Sequence, residues 1–219
     1  METHQTPYSA RLEIDYPEEE LNRLTTFFRL ILVIPIAIIL AIISASADST
    51  YVVVSDAGET ITKITTSSGG IAGALFLATL LMILFRQRYP RWWFDFAREF
   101  ARFAMRVGAY LALLTDDYPS TEEEQAVHLD IDYPDAKQDL NRWLPLVKWF
   151  LAIPHFIVLL FLAIGAFFAV IIAWFAILFT GRYPRGLFDY VVGVSRWALR
   201  VEAYAVLLVT DRYPPFSLS

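Results

Sequence analysis

From Trp149 to Phe179 the chain runs for 31 residues without a formal charge, and a helix of that composition has no polar face to turn toward water. Two shorter runs, Leu30–Ile43 and Ile71–Phe85, are equally free of charge, and His155 is the only ionisable side chain in the three. Charged residues make up 19% of the chain and apolar residues 57%, where a soluble domain carries about 25% charge. The mean hydropathy of +0.47 points the same way. The runs therefore read as helices placed in lipid.

As one helix the longest run measures about 46 Å, too long for one crossing of a ~30 Å hydrocarbon core. Counted from Arg142 to Arg182 it measures about 60 Å, enough for two crossings joined by a tight turn, and Gly165 lies near its middle. The expectation is a mainly α membrane protein with four transmembrane helices, at 26–44, 68–86, 145–164 and 166–181, arranged as two hairpins.

The chain is also duplicated. Leu12-Glu13-Ile14-Asp15-Tyr16-Pro17 returns 117 residues later as Leu129-Asp130-Ile131-Asp132-Tyr133-Pro134, and Asn22-Arg23 returns as Asn141-Arg142 at an offset of 119. The offset of 119 also carries Arg29 onto Lys148 and Ile34-Pro35 onto Ile153-Pro154. Beyond the next apolar run it drops to 94, where Arg88-Tyr89-Pro90-Arg91 becomes Arg182-Tyr183-Pro184-Arg185. Arg102, Arg106 and Tyr110 become Arg196, Arg200 and Tyr204 at that same offset, and Thr115-Asp116 returns as Thr210-Asp211. The first copy thus spans 8–119 and contains an insert over 44–70 that the second, 126–215, lacks.

Each Arg-Tyr-Pro-Arg opens a segment with charges at helical spacing on an otherwise apolar surface: 91–114 with Arg91, Asp95, Arg98, Arg102 and Arg106, and 185–209 with Arg185, Asp189, Arg196 and Arg200. These are expected to lie in the cytoplasmic interface as amphipathic helices. Their arginines are then candidates for lipid headgroups, with Tyr89 and Tyr183 as aromatic-belt anchors and Pro90 and Pro184 in the first helical turn. Ala10–Asp15 and Ala126–Asp132 alternate in polarity and read as short cytoplasmic strands able to pair across a pseudo-twofold axis, with the tail around Phe216–Leu218 as a further candidate strand. Within the insert, Tyr51–Val54 and Ile61–Ile64 flank Asp56-Ala57-Gly58-Glu59, an external hairpin pattern. In the four-helix arrangement nearly all arginines fall on one side and the insert on the other, so both termini are expected in the cytoplasm of a multi-pass protein. The first 25 residues are polar and show no signal peptide, and the absence of cysteine excludes disulfides and thiolate metal sites.

The Asp-Tyr-Pro strands, the Asn-Arg start to an apolar run and the Arg-Tyr-Pro-Arg entry to an amphipathic helix together resemble the prokaryotic membrane family called domain of unknown function 4389. The resemblance covers about residues 10–215 as two copies. It implies a polytopic protein of a prokaryotic cytoplasmic membrane, and it brings no catalytic residue or ligand.

His4, His128 and His155 lack metal-ligand spacing, and no nucleophile elbow, phosphate loop or dinucleotide fingerprint occurs. No catalytic residue, metal or cofactor is expected, and no nucleic-acid partner. A non-catalytic scaffold or accessory subunit is the leading expectation, with membrane lipids and a membrane-protein partner or second copy as its contacts. Anionic-lipid binding through the arginine stripes is the first alternative. The second is transport of a small solute, centred on His155 as an ionisable group within an apolar run.

Overall fold

The computed structural model describes residues 8–44, 48–54, 60–67, 70–121 and 123–219. In chain order these form β1 (Ala10–Ile14), α1 (Arg23–Leu32), α2 (Ile34–Ser44), β2 (Asp48–Val54), β3 (Thr60–Ser67), α3 (Gly70–Leu81), α4 (Arg91–Leu111), β4 (Val127–Ile131), α5 (Pro145–Leu151), α6 (Ile153–Thr180) and α7 (Arg185–Ala205). A π-helical turn, Met82–Arg86, extends α3. The protein is mainly helical.

Strands β1 and β4 pair antiparallel, with Leu12 opposite Leu129 and Ala10 opposite Ile131. Leu12 and Leu129 are repeat mates, so each copy supplies one strand and a pseudo-twofold axis passes between them. Ala10, Leu12, Val127, Leu129 and Ile131 are buried, while Glu13, His128 and Asp130 face outward, the period-two pattern expected of a half-buried sheet. The sheet has two strands; the Phe216–Leu218 tail does not join it but packs on α7.

Val33 separates α1 from α2, and its mate Ala152 separates α5 from α6. Each stands two residues before a proline, Pro35 or Pro154, which cannot donate to the carbonyl four residues earlier and so breaks the helix only locally. Beyond its break, α6 runs 28 residues through Gly165 without a turn. Gly165 instead admits a crossing neighbour: a Cβ there would stand 2.5 Å from the Tyr190 hydroxyl, which donates to the Leu162 carbonyl at 2.9 Å.

Among the described residues the first copy shows no helical hairpin either. Along α4, Trp93 meets Thr79, Phe103 and Val107 pack with Ile36 and Val33, and Tyr110 lies under Arg29. The partner numbers fall as α4 advances, so α2 and α3 both run antiparallel to it and therefore parallel to each other. Along α7 the same order recurs, with Tyr190 at Leu162, Trp197 at His155 and Tyr204 at Lys148. Ser44 is the mate of Ala163 and Gly70 the mate of Ile164, adjacent residues inside α6. The 25 residues from Ala45 to Gly69 thus interrupt, in the first copy, a helical line that the second copy keeps whole. Asp48 pairs with Ser67 at the base of the β2–β3 hairpin, so the insert leaves and rejoins that line at one place. The turn expected at Asp56–Glu59 lies outside the described residues.

Three layers result. Two long helical rods, α1–α2–α3 and α5–α6, form the first, and α1 packs on α6, where the Trp174 indole donates to the Thr26 carbonyl at 3.1 Å. Helices α4 and α7 form the second; α7 lies between α5–α6 and β1, and α4 between α2 and β4. The sheet is the third. The amphipathic helices expected in the lipid interface are this middle layer. They end before 114 and 209, because the mates Leu113 and Leu208 adopt left-handed φ of 63° and 57° just beyond them, a conformation costing about 1–2 kcal/mol that burial of both side chains offsets. Pro90 and Pro184 stand one residue before these helices, their carbonyls accepting from the amides of Phe94 and Phe188 at 3.0 Å.

Among the described residues two helical stretches are long and apolar enough to cross a membrane, Arg23–Ala41 and Ile153–Thr180. Of the most apolar window of α6 only 11% is buried, and Phe161, Phe167 and Phe179 are 68%, 63% and 79% exposed.

Candidate functional site

The repeat places one buried cation at the start of each rod. Arg29 forms an ion pair with Asp116, donates to the Thr115 carbonyl at 3.0 Å and lies 4.0 Å above the Tyr110 ring. Lys148 repeats all three contacts, with Asp211 at 2.7 Å, the Thr210 carbonyl at 2.7 Å and the Tyr204 ring at 5.1 Å. The same carboxylates accept the amides of Asn22 and Asn141, whose own side chains each receive an amide of the following helix entry. These clusters tie the end of each middle-layer helix to the start of its own rod.

The Tyr-Pro segments exchange across the axis. Tyr16 donates to the Tyr183 carbonyl at 2.6 Å, and its mate Tyr133 donates to the Tyr89 carbonyl. Arg185 stands 4.2 Å above the Tyr16 ring and Arg91 5.3 Å above Tyr133. Tyr89 and Tyr183, expected at the lipid interface, are instead buried in the core between the copies. Burial pushes the Tyr89 phenol up to about 12 and raises that of Tyr183 as well.

Most of the arginine stripe serves internal carbonyls. Arg102 donates to the Leu129 carbonyl at 3.1 Å and pairs with Glu99, and its mate Arg196 donates to the Leu12 carbonyl at 3.0 Å and the Leu218 carbonyl at 3.3 Å. Arg106 donates to the Ser120 carbonyl at 2.6 Å; Arg200 holds the main-chain oxygens of Ser217 and Ser219. Arg106 and Arg200 are 8% and 7% exposed, and burial, reinforced by the neighbouring Arg102 and Arg196, lowers their affinity for the proton. Arg98 pairs with Asp95 and Glu99 on the helix surface. Of the stripe arginines, only Arg91 and Arg185 are exposed.

On the sheet side, a cleft of about 520 Å³ opens beside Arg11, Arg102, Arg106, Glu13, His128 and Asp130. In the second copy the corresponding arginines are covered by residues 217–219, and Gly193, the mate of Glu99, leaves room for Leu218. This tail contact has no signature in the sequence beyond the Gly-for-Glu exchange.

His155 is fully buried. Its Nδ1 accepts from the Trp197 indole at 3.1 Å, which requires that nitrogen to be unprotonated, and its ring stacks on Phe216 at 4.0 Å. In the first copy the same positions hold Ile36 and Phe103, which pack together without a polar contact. Among the described residues no group of three or more His, Cys, Asp or Glu side chains converges as a metal site.

These features define a duplicated, mainly helical protein with a charged sheet on one side and exposed apolar helices on the other. The chain belongs to the family described as Domain of unknown function (DUF4389), whose profile matches residues 64–121 and 143–217, one stretch in each copy and together more than half of the chain. No curated protein and no solved structure matches it.

Proposed function

We propose that this chain is a non-catalytic scaffold or accessory subunit of the prokaryotic cytoplasmic membrane. The observation that carries the reading is the contrast between its layers. The rods expose large apolar side chains such as Phe161, Phe167, Phe175 and Phe179, while the arginines of the middle layer are mostly spent on holding the sheet and tail in place. An apolar patch of this extent marks a surface for lipid or for a neighbouring membrane protein. Extraction of the tagged chain from its own membranes in polymer-bounded lipid discs, followed by native mass spectrometry, tests it. A stoichiometric second polypeptide is the expected result, and a bare chain in every preparation overturns the subunit reading.

Anionic-lipid binding stands as a second reading, narrowed to Arg91 and Arg185. Both are exposed at the first turns of α4 and α7, with their guanidinium groups held over tyrosine rings and free to meet a phosphate. Loss of co-purifying anionic lipid in the Arg91→Gln/Arg185→Gln variant supports this reading, and an unchanged lipid complement removes it.

A further inference from the structure

We infer that the two rods lie flat in one leaflet of the membrane, forming a lipid-embedding surface, rather than crossing the bilayer. This rests on the membrane reading above and adds to it the depth and direction of the contact.

Length sets the first constraint. Rod α5–α6 runs from Pro145 to Thr180 with one interruption at Ala152, about 54 Å, while the hydrocarbon core is ~30 Å thick. The first rod matches it once the insert is set aside.

Symmetry supplies the second step. The rods run in opposite directions, because each starts beside the end of the other. At the start of the first, the Leu21 amide donates to the Gly181 carbonyl at 2.8 Å and the Trp174 indole to the Thr26 carbonyl at 3.1 Å. At the start of the second, Arg142 donates to the Gln87 side-chain oxygen at 3.1 Å. The axis relating them passes through the Leu12–Leu129 pair, so the sheet sits over the middle of the rods. Arg196, which holds the Leu12 carbonyl, lies on α7 between the positions that touch His155 and Leu162, inside the second rod and not at either end. Its mate Arg102, which holds the Leu129 carbonyl, has the corresponding place on the first.

Charge then decides the orientation. If the rods stood upright, the outward face of the sheet, with Arg11, Glu13, Asp130 and Asp132, would sit at mid-depth in the bilayer. Ionised side chains facing lipid at that depth are unfavourable by several kcal/mol each, and an open sheet edge there leaves main-chain groups without partners. With the rods flat, the order from lipid to water becomes apolar rods, amphipathic middle layer, charged sheet. Every layer then meets the solvent its side chains suit. The acyl chains of a single leaflet cover the exposed flank of α6, including Ile157, Ile164 and Ile171, which lie on one helical face.

The chain has no cysteine, so single cysteines can be placed in the full-length protein without background. Lys63→Cys in the insert and Glu124→Cys in the linker before β4 are labelled with a membrane-impermeant maleimide in intact cells and in inverted vesicles. Flat rods give labelling of both positions from the cytoplasmic side only. Labelling of Lys63→Cys from outside and Glu124→Cys from inside overturns the inference. A second measurement reads depth directly: spin labels at Ile157→Cys, Ile164→Cys and Ile171→Cys, probed with oxygen and a nickel chelate, share one depth within about 5 Å if the rod is flat. An upright rod separates the first from the last by about 20 Å. Release of the chain from membranes by alkaline carbonate would instead defeat the membrane reading itself, a result distinct from either topology.

Discussion

Lys148 forms an ion pair with Asp211 at 2.7 Å while having no exposed surface of its own. Because Arg29 and Asp116 repeat it in the first copy, the molecule contains its own substitution experiment. Replacing Arg29 with Lys keeps a donor for Thr115, a charge for Asp116 and a cation over Tyr110, as Lys148 already does. Arg29→Lys is therefore expected to cost about 1 kcal/mol, and Arg29→Met about 3–5 kcal/mol, because the latter strands a partly buried carboxylate. Thermal unfolding in detergent, followed by circular dichroism, ranks the two. Equal losses would show that the ion pair is incidental.

The His155–Trp197 contact is expected to behave as a unit. His155→Ile alone leaves the indole N–H buried without an acceptor, a loss of about 1–3 kcal/mol. Adding Trp197→Phe recreates the Ile36–Phe103 pair of the first copy and should recover most of that loss. A double-mutant cycle with additive losses would refute the coupling.

Deletion of Ala45–Gly69 is expected to leave a folded, membrane-bound protein. It joins Ser44 to Gly70 in the register that Ala163 and Ile164 hold inside α6. The variant should retain its helical signal and melt within about 5 °C of the parent, since no middle-layer contact described above is lost. Aggregation, or loss from the membrane fraction, would show that the insert is needed for folding.

Glu202 predicts a pH dependence. It borders a cavity of about 30 Å³ lined by Leu75, Phe76, Thr79, Tyr89 and Phe100, and burial raises its carboxyl above the usual range. The native state then holds this proton to higher pH than the unfolded chain does. Its contribution to stability is present at acidic pH and is lost as pH rises through the raised value. The melting temperature of the parent should fall relative to Glu202→Gln between mildly acidic and mildly alkaline buffers. Parallel curves would place the carboxylate in contact with water.

Much of this was legible in advance for a definite reason. Leu12 and Leu129 read as mates from motif spacing, and an antiparallel pair of mates is the arrangement a twofold axis allows. The amphipathic helices were legible from the spacing of Arg91, Asp95, Arg98, Arg102 and Arg106, although the direction their arginines face was not. An arginine at helical spacing states that it needs a polar partner; whether that partner is a phosphate, a carboxylate or the Leu129 carbonyl depends on residues distant in sequence. Two crossings of the bilayer need a turn, and Gly165 is the residue in the run that suits one. In the fold it is the notch that admits the Tyr190 hydroxyl.

By itself the sequence determined the duplication, the mates within it, and which segments must leave water, because these follow from residue identity and local period. Only the tertiary structure decided that the apolar runs form two antiparallel rods in place of two hairpins, and that the arginine stripes turn inward. An apolar helix loses the same contact with water against lipid or against protein, so its composition is silent on direction. The middle-layer helices bridge the breaks in each rod, α7 from Lys148 to Leu162 and α4 from Arg29 to Thr79, and so supply the contacts that make it continuous.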